Sequence, residues 1–137
     1  VASSGIAATL LSGGRTAHSC FKLPLDLSKK EKANCRISCG SIKGKLLGEF
    51  RLIIWDEVTM SHKVSFKALD MVLQDLRHNT RFVRGATVLL ARDFRQTLPM
   101  VPKGTKADEV NASIKSSYLW SSVQKLKLTT NMRLQLS

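Results

Sequence analysis

The sequence predicts an α/β protein in which a parallel sheet is flanked by helices. Apolar runs of strand length, at residues 51–55, 86–91 and 125–128, are separated by stretches with helical spacing. That alternation is the pattern from which parallel sheets are built. Each run also stops on polar residues: Asp56-Glu57, then Arg92-Asp93-Phe94-Arg95-Gln96, then Thr129-Thr130-Asn131-Met132-Arg133. In open α/β sheets the carboxyl ends of the strands form the edge where ligands sit.

Val1-Ala2-Ser3-Ser4-Gly5 reads as a strand end turning into a helix over 6–11, with Ser3 or Ser4 as N-cap. Gly13-Gly14 closes that helix. Thr16-Ala17-His18-Ser19-Cys20-Phe21 opens a second short element, and 22–41 is loop-like, with Pro24, scattered lysines and two cysteines. A helix over 43–50 precedes the strand 51–55. After Glu57, Thr59 and Ser61 are candidate caps for a helix over about 62–78. Its Phe66, Leu69, Val72, Leu73 and Leu76 recur at intervals of three and four, one helical face. The strand 86–91 leads into a loop marked by Pro99 and Pro102, a helix over 106–115 and a last strand over 125–128. No internal repeat interrupts this order.

At 137 residues with 43% hydrophobic content, the chain suits one domain with one core. Its 22 Lys and Arg outnumber 10 Asp and Glu, a net charge of +12. The excess is spread out: 8 basic against 3 acidic in 1–50, 8 against 5 in 51–100, and 6 against 2 thereafter. A polyanionic partner held in a charged groove fits this better than a basic tail does. Nucleic acid is favoured over a membrane, because no basic amphipathic helix, lipid anchor or transmembrane run is present. Three cysteines, an odd number, argue for free thiols and a reducing compartment. Cys20, Cys35, Cys39 and His18 lack the spacing of a zinc site. A first residue of Val1, in an apparent strand end, is expected of a piece of a longer protein.

Asp56 and Glu57 carry the chemistry. Phosphate hydrolysis needs one carboxylate to hold Mg²⁺, usually through water, and another to polarise the attacking water. Adjacent residues leaving a strand split these roles, because consecutive side chains point in different directions. On the pair alone an equally good account has Asp56 ending the strand and Glu57 capping the next helix. Gln96 can bond a terminal phosphate or a water, and Arg95 offers a charge-assisted fork. Alone, their segment is an ordinary polar turn. Arg133 is placed to act on developing phosphoryl charge, although a solvated terminal Arg explains it equally simply. Phe21 suits base stacking or core packing alike.

Taken in order, these segments resemble the Pif-one DNA helicases, in particular those of Helitron-type mobile elements. The resemblance is carried by Ser3 to Leu11, Gly13-Gly14-Arg15-Thr16-Ala17-His18-Ser19, Leu52 to Met60, Asp93-Phe94-Arg95-Gln96-Thr97-Leu98-Pro99 and Leu128 to Arg133, and it spans essentially the whole chain. It implies a RecA-like sheet, the P-loop NTPase core without its first strand and phosphate loop. Residues 1–137 would be part of the first RecA-like domain. It further implies ATP and Mg²⁺ as nucleotide and cofactor, with Asp56 for Mg²⁺ and Glu57 for activating water. Gln96, with Arg95 beside it, would sense the γ-phosphate, and Arg133 would reach it, all three converging with Glu57 on one sheet edge. Ser3, Ser4 and Gly5 would grip the single-strand backbone, and Thr16, His18 and Ser19 would form a second strand contact.

Single-stranded DNA, single/double-strand junctions and a second RecA-like domain are the implied partners of a monomeric, 5'–3', nuclear helicase. Repair, recombination, telomere maintenance or Helitron transposition would be its setting. Two departures stand out. No Gly-rich loop ending in Gly-Lys-Ser/Thr occurs in the chain, and in the family it lies upstream of the segment matching Val1. Ala91-Arg92 replaces a pair of small residues, and a bulky Arg is expected to disturb Gln96 if the backbone there needs φ > 0. The chain alone is therefore expected to be inactive. The rival reading is a non-catalytic, basic nucleic-acid-binding module.

Overall fold

The computed structural model describes residues 1–24, 36–78, 85–93, 95 and 98–135. In order it contains α1 (Gly5–Leu10), α2 (Ala17–Phe21), α3 (Ile42–Glu49), β1 (Leu52–Trp55), α4 (Lys63–Arg77), β2 (Thr87–Leu90), α5 (Lys106–Ala112) and α6 (Met132–Gln135). Short 3₁₀ turns lie at Val58–Met60, Ile114–Ser116 and Tyr118–Ser122. β1 and β2 pair in parallel, with Leu52 opposite Thr87 and Trp55 opposite Leu90. On the other side of β1, Ala2 bridges in parallel to Asp56, and Ala2 also bridges to Thr16. Four segments therefore lie side by side in the order Thr16, Ala2, β1, β2.

The helices start where short polar side chains accept the first free N–H groups. Ser4 caps α1, Thr16 caps α2, Ser41 caps α3, and Thr105 caps α5 with a reciprocal bond from Asp108. α4 starts differently from the sequence expectation. Thr59 sits inside the 3₁₀ turn and Ser61 is buried with its hydroxyl 2.6 Å from that of Ser3. The cap falls to His62, whose Nδ1 accepts from the Val64 N–H at 3.2 Å.

α4 buries the expected face, with Phe66, Leu69, Val72 and Leu73 in the core and Leu76 packed against it. Trp55 anchors that core from β1. It is 0% exposed, and its ring centroid lies 5.5 Å from Phe21 and 4.6 Å from Phe66. The reading of Phe21 as core is thereby settled. Arg77, near the end of α4, donates to the carbonyls of Leu47 and Phe50 and places its guanidinium 4.4 Å from the Phe50 ring centroid. This ties α3 and the entry to β1 onto α4.

Three expectations need correction. β1 is buried on one face only: Ile53 and Trp55 point into the core, while Leu52 and Ile54 are exposed, as is Leu89 of β2. Among the described residues no second layer covers that face. Residues 125–128 form no strand, and Leu126 and Leu128 are 82% and 96% exposed. A cavity of about 1080 Å³, walled by β2, by Phe66, Leu69 and Leu73 of α4, and by 122–128, separates that segment from the sheet. Without a ladder partner, its alternating Lys and Leu have no hydrogen bonds to hold them extended. The helix expected over 106–115 also ends early, because Ser113 at φ −69°, ψ 159° breaks it before the turn Ile114–Ser116.

Leu73→Ala, at a fully buried position, is expected to cost about 2–5 kcal/mol, read by urea denaturation. Stability should also fall with acidification. Burial, and then the neighbouring Lys63 charge, hold the His62 imidazole below its ordinary value of 6.5, and burial lowers His18 likewise. The unfolded chain therefore takes up these protons first, so stability is full above about pH 6.5 and declines as pH falls through it toward the lowered folded values. His62→Asn, which keeps a capping acceptor, should flatten part of that decline in urea titrations across pH 5–8.

Candidate functional site

The carboxyl ends of Ala2, β1 and β2 lie in register, and this sets the site. The Asp56 N–H donates to the Val1 carbonyl at 2.9 Å and the Ser3 N–H donates to the Asp56 carbonyl at 3.1 Å. On the other side, the Ala91 N–H donates to Trp55 at 2.9 Å and the Val58 N–H donates to Ala91 at 3.1 Å. Asp56 and Glu57 thus leave the sheet between the Ser3-Ser4 segment and the turn that begins at Ala91-Arg92.

Glu57 has a left-handed backbone, φ 49° and ψ 42°. For a residue with a Cβ this costs about 1–2 kcal/mol, and such strain clusters at functional sites. Its side chain does not cap the following turn, so the plain structural account of Glu57 fails. The carboxylate instead accepts from the Ser4 hydroxyl at 3.0 Å. Asp56 fits the plain account in part, since its Oδ1 accepts from the Glu57 N–H at 2.8 Å. No described residue donates to its Oδ2. Half-buried carboxylates beside a serine hydroxyl are hard oxygen donors of the kind Mg²⁺ takes together with water and substrate phosphate.

Ser3 works inward. Its Oγ accepts from Trp55 Nε1–H at 3.0 Å, lies 2.6 Å from Ser61 Oγ and reaches the Asp56 carbonyl at 3.4 Å. These partners fill one donor and two acceptor positions of a hydroxyl. Ser4 accepts from the Ala7 N–H at 3.2 Å as well as donating to Glu57. Gly5 is exposed, and a Cβ there would meet nothing.

Thr16 is brought beside Ala2, and its Oγ1 accepts from the Ser19 N–H at 3.2 Å. His18 is half-buried on α2, and its burial-lowered pKa leaves a neutral imidazole at neutral pH. The Ser19 carbonyl accepts from Lys43 Nζ at 2.8 Å, which adds a cation to this end of α2.

The rest of the expected constellation is less complete. Gln96, like Phe94, Thr97 and Cys35, lies outside the described residues. Arg95 is exposed, and its N–H donates to Asp93 Oδ1 at 2.9 Å. Arg133 belongs to α6, an exposed helix of four residues outside the sheet, so the strand-end placement expected for it is not met. The physical reason is again the missing ladder at 125–128. Neither Ala91 nor Arg92 has positive φ, so the backbone accepts Arg92 without strain. Its guanidinium lies 4.8 Å from the Trp120 ring centroid, and Lys125 Nζ approaches the same ring at 5.2 Å. Sequence reasoning missed this stack and the Ser4–Glu57 bond, since neither partner is near the other in sequence.

A sequence model of the PIF1-like helicase family matches residues 1–137. The chain belongs to that family. The ATP-dependent DNA helicase Pif1 of Psychrobacter sp. (strain PRwf-1) is 29% identical to it over 118 residues, 86% of this chain and 18% of that protein. The Pif1 helicase of Candida albicans superposes with a TM-score of 0.71 at 29% identity, over 90% of this chain and 27% of that one. A Bacteroides Pif1 helicase, solved with ADP-AlF3 and single-stranded DNA, superposes with a TM-score of 0.71 at 23% identity, over 87% and 28%. The fold is the RecA-like one of PIF1-like helicases. The chain spans about a fifth of the curated relative's length and under a third of each solved chain.

Ser3→Ala would leave the buried Trp55 N–H without its acceptor. The expected cost is about 1–3 kcal/mol, read in urea titrations followed by tryptophan fluorescence.

Proposed function

We propose that this chain is part of the motor core of an ATP-dependent DNA helicase, and that its first RecA-like domain extends beyond these residues. The observation that best supports this reading is Glu57, held in a strained backbone at the carboxyl end of β1 with its carboxylate against Ser4. Lys22, His78 and Lys103 share the left-handed backbone, so it is the place of Glu57 at the strand end and its bond to Ser4 that carry the reading.

In this reading Glu57 acts on the water that attacks the terminal phosphate of ATP. The Glu57 carboxylate would accept a proton from that water as the bond to phosphorus forms and ADP leaves. Asp56 would hold Mg²⁺ through its free Oδ2 and intervening water, where the ion offsets charge on the phosphate oxygens. Arg95 and Gln96 follow β2 and are assigned to the phosphate side, and Arg133 to the γ-phosphate from a neighbouring element. The phosphate loop that a complete site needs has no counterpart in residues 1–137.

Single-stranded DNA lies along the Ser4-Gly5 and Thr16, His18, Ser19 side of the same edge, with Ser3 fixing that segment to β1. The net charge of +12 supplies the attraction. A second RecA-like domain would close over the nucleotide, and its opening and closing would move the strand, 5'–3' by family resemblance. A non-catalytic basic module shares the charge but does not account for Glu57.

Two measurements test this. The isolated chain should bind oligo(dT) with an affinity that falls by about an order of magnitude between 50 and 200 mM salt, the drop expected if its cations neutralise about three phosphates. It should show no DNA-stimulated ATP turnover; salt-independent binding would count against the groove. In the complete helicase bearing this region, Glu57→Gln should lower kcat by about 10²-fold or more while nucleotide binding persists. Undiminished turnover would remove Glu57 from its role.

A further inference from the structure

The hydroxyl of Ser4 has one proton, and the structure shows where it goes. It donates to Glu57 Oε2 at 3.0 Å, across 53 residues of sequence, while a lone pair accepts from the Ala7 N–H at 3.2 Å. The backbones on either side of this contact are locked together by the Ser3–Asp56 and Asp56–Val1 bonds. Glu57 cannot relax away through its own main chain, because its φ of 49° is set by the turn Val58–Met60 and by the Asp56 Oδ1 bond to its N–H. Only the side chain is free to answer what happens at Ser4.

We infer that Ser4 is a positioning residue for Glu57, whose single hydroxyl proton is exchanged between the Glu57 carboxylate and a phosphate oxygen of bound DNA. The inference rests on the functional reading above and adds a regulation to it. A hydroxyl donates one hydrogen bond at a time, so the two acceptors exclude each other. Without DNA the Ser4 hydroxyl donates to Glu57 and holds the carboxylate toward Ser4. With a phosphate oxygen as acceptor, Glu57 is released to turn to water. Stimulation of hydrolysis by DNA then follows from a single shared donor, with no movement of the sheet. Both acceptors are anions, so the exchange trades one charge-assisted bond for another.

The donor role of Ser4 can be removed at little cost to the cap. Ser4→Thr keeps both. Ser4→Gly is tolerated at a helix N-cap and has neither a proton to give nor a charge to repel Glu57 or phosphate. The carboxyl ¹³C signals of the glutamates, with the Glu57 signal assigned by its loss in Glu57→Gln, report the contact directly in the 137-residue chain. Saturating oligo(dT) should displace the Glu57 signal in the unmodified chain and in Ser4→Thr. In Ser4→Gly the signal should already be displaced and should not respond further. Oligo(dT) that binds, by fluorescence anisotropy, yet leaves the Glu57 signal in place would overturn the inference and spare the functional reading. So would a Ser4→Gly chain that responds like the unmodified one. Failure to bind oligo(dT) at low salt would overturn both. In the complete helicase, the ratio of DNA-stimulated to basal turnover at saturating DNA should fall toward one in Ser4→Gly and be kept in Ser4→Thr.

Discussion

The site depends on the main chain of Ala2. This residue is fully buried, and the peptides around it bond on both sides. Toward α2, the Ala2 N–H donates to Arg15 at 3.0 Å and its carbonyl accepts from Ala17 at 2.8 Å. Toward β1, the neighbouring Val1 carbonyl and Ser3 N–H bond to Asp56. In parallel pairing a residue's two main-chain groups face one neighbour while its flanking groups face the other. One short segment therefore sets Thr16, Ser4 and Glu57 in a row. The Ala2 side chain points out of the sheet and is buried, so the exposed polar side chains belong to residues at the edge.

That arrangement gives a physical reason why the strained Glu57 is tolerated. The left-handed turn costs about 1–2 kcal/mol, and each hydrogen bond made there returns about 0.5–1.5, or 1.5–3 where a charge takes part. The Asp56 Oδ1 bond to the Glu57 N–H and the Ser4 bond to its carboxylate both involve charge. Beneath them, Trp55 packs its ring between Phe21 and Phe66 and gives its N–H to Ser3. The Asp56-Glu57 turn thus sits directly on the aromatic part of the core.

Local signals in the sequence located most elements within a few residues, because short caps and helical spacing act over three or four positions. Ser4, Thr16 and the apolar face of α4 were legible for that reason. Failures came where the outcome depends on distant partners. His62 caps α4 only because Ser61 is committed to Ser3, 58 residues away. Residues 125–128 have a strand's alternation, but alternation says nothing of whether a ladder partner is at hand. The ordered motifs were sufficient to suggest the family, whereas the Ser4–Glu57 bond required knowing that Ala2 lies beside β1.

Arg92 shows how a departure from the family's pattern is absorbed. A pair of small residues before Asp93 would leave the turn after β2 without side-chain support. Here the backbone keeps negative φ and the guanidinium reaches the Trp120 ring. Trp120 belongs to the 3₁₀ turn Tyr118–Ser122, and Tyr118 donates to Asp70 Oδ2 at 3.0 Å on α4. Asp70 is buried and also receives Gln74 Nε2 at 3.3 Å. A continuous path of contacts therefore runs from α4 through Tyr118 and Trp120 to Arg92, next to the turn that carries Asp93 and Arg95. Cation–ring contacts contribute about 0.5–1 kcal/mol when exposed and more when desolvated. Burial lowers the Arg92 pKa only within a range where the group stays charged. The large side chain thus braces the turn after β2 from outside the sheet, where a pair of small residues would have relied on the backbone alone.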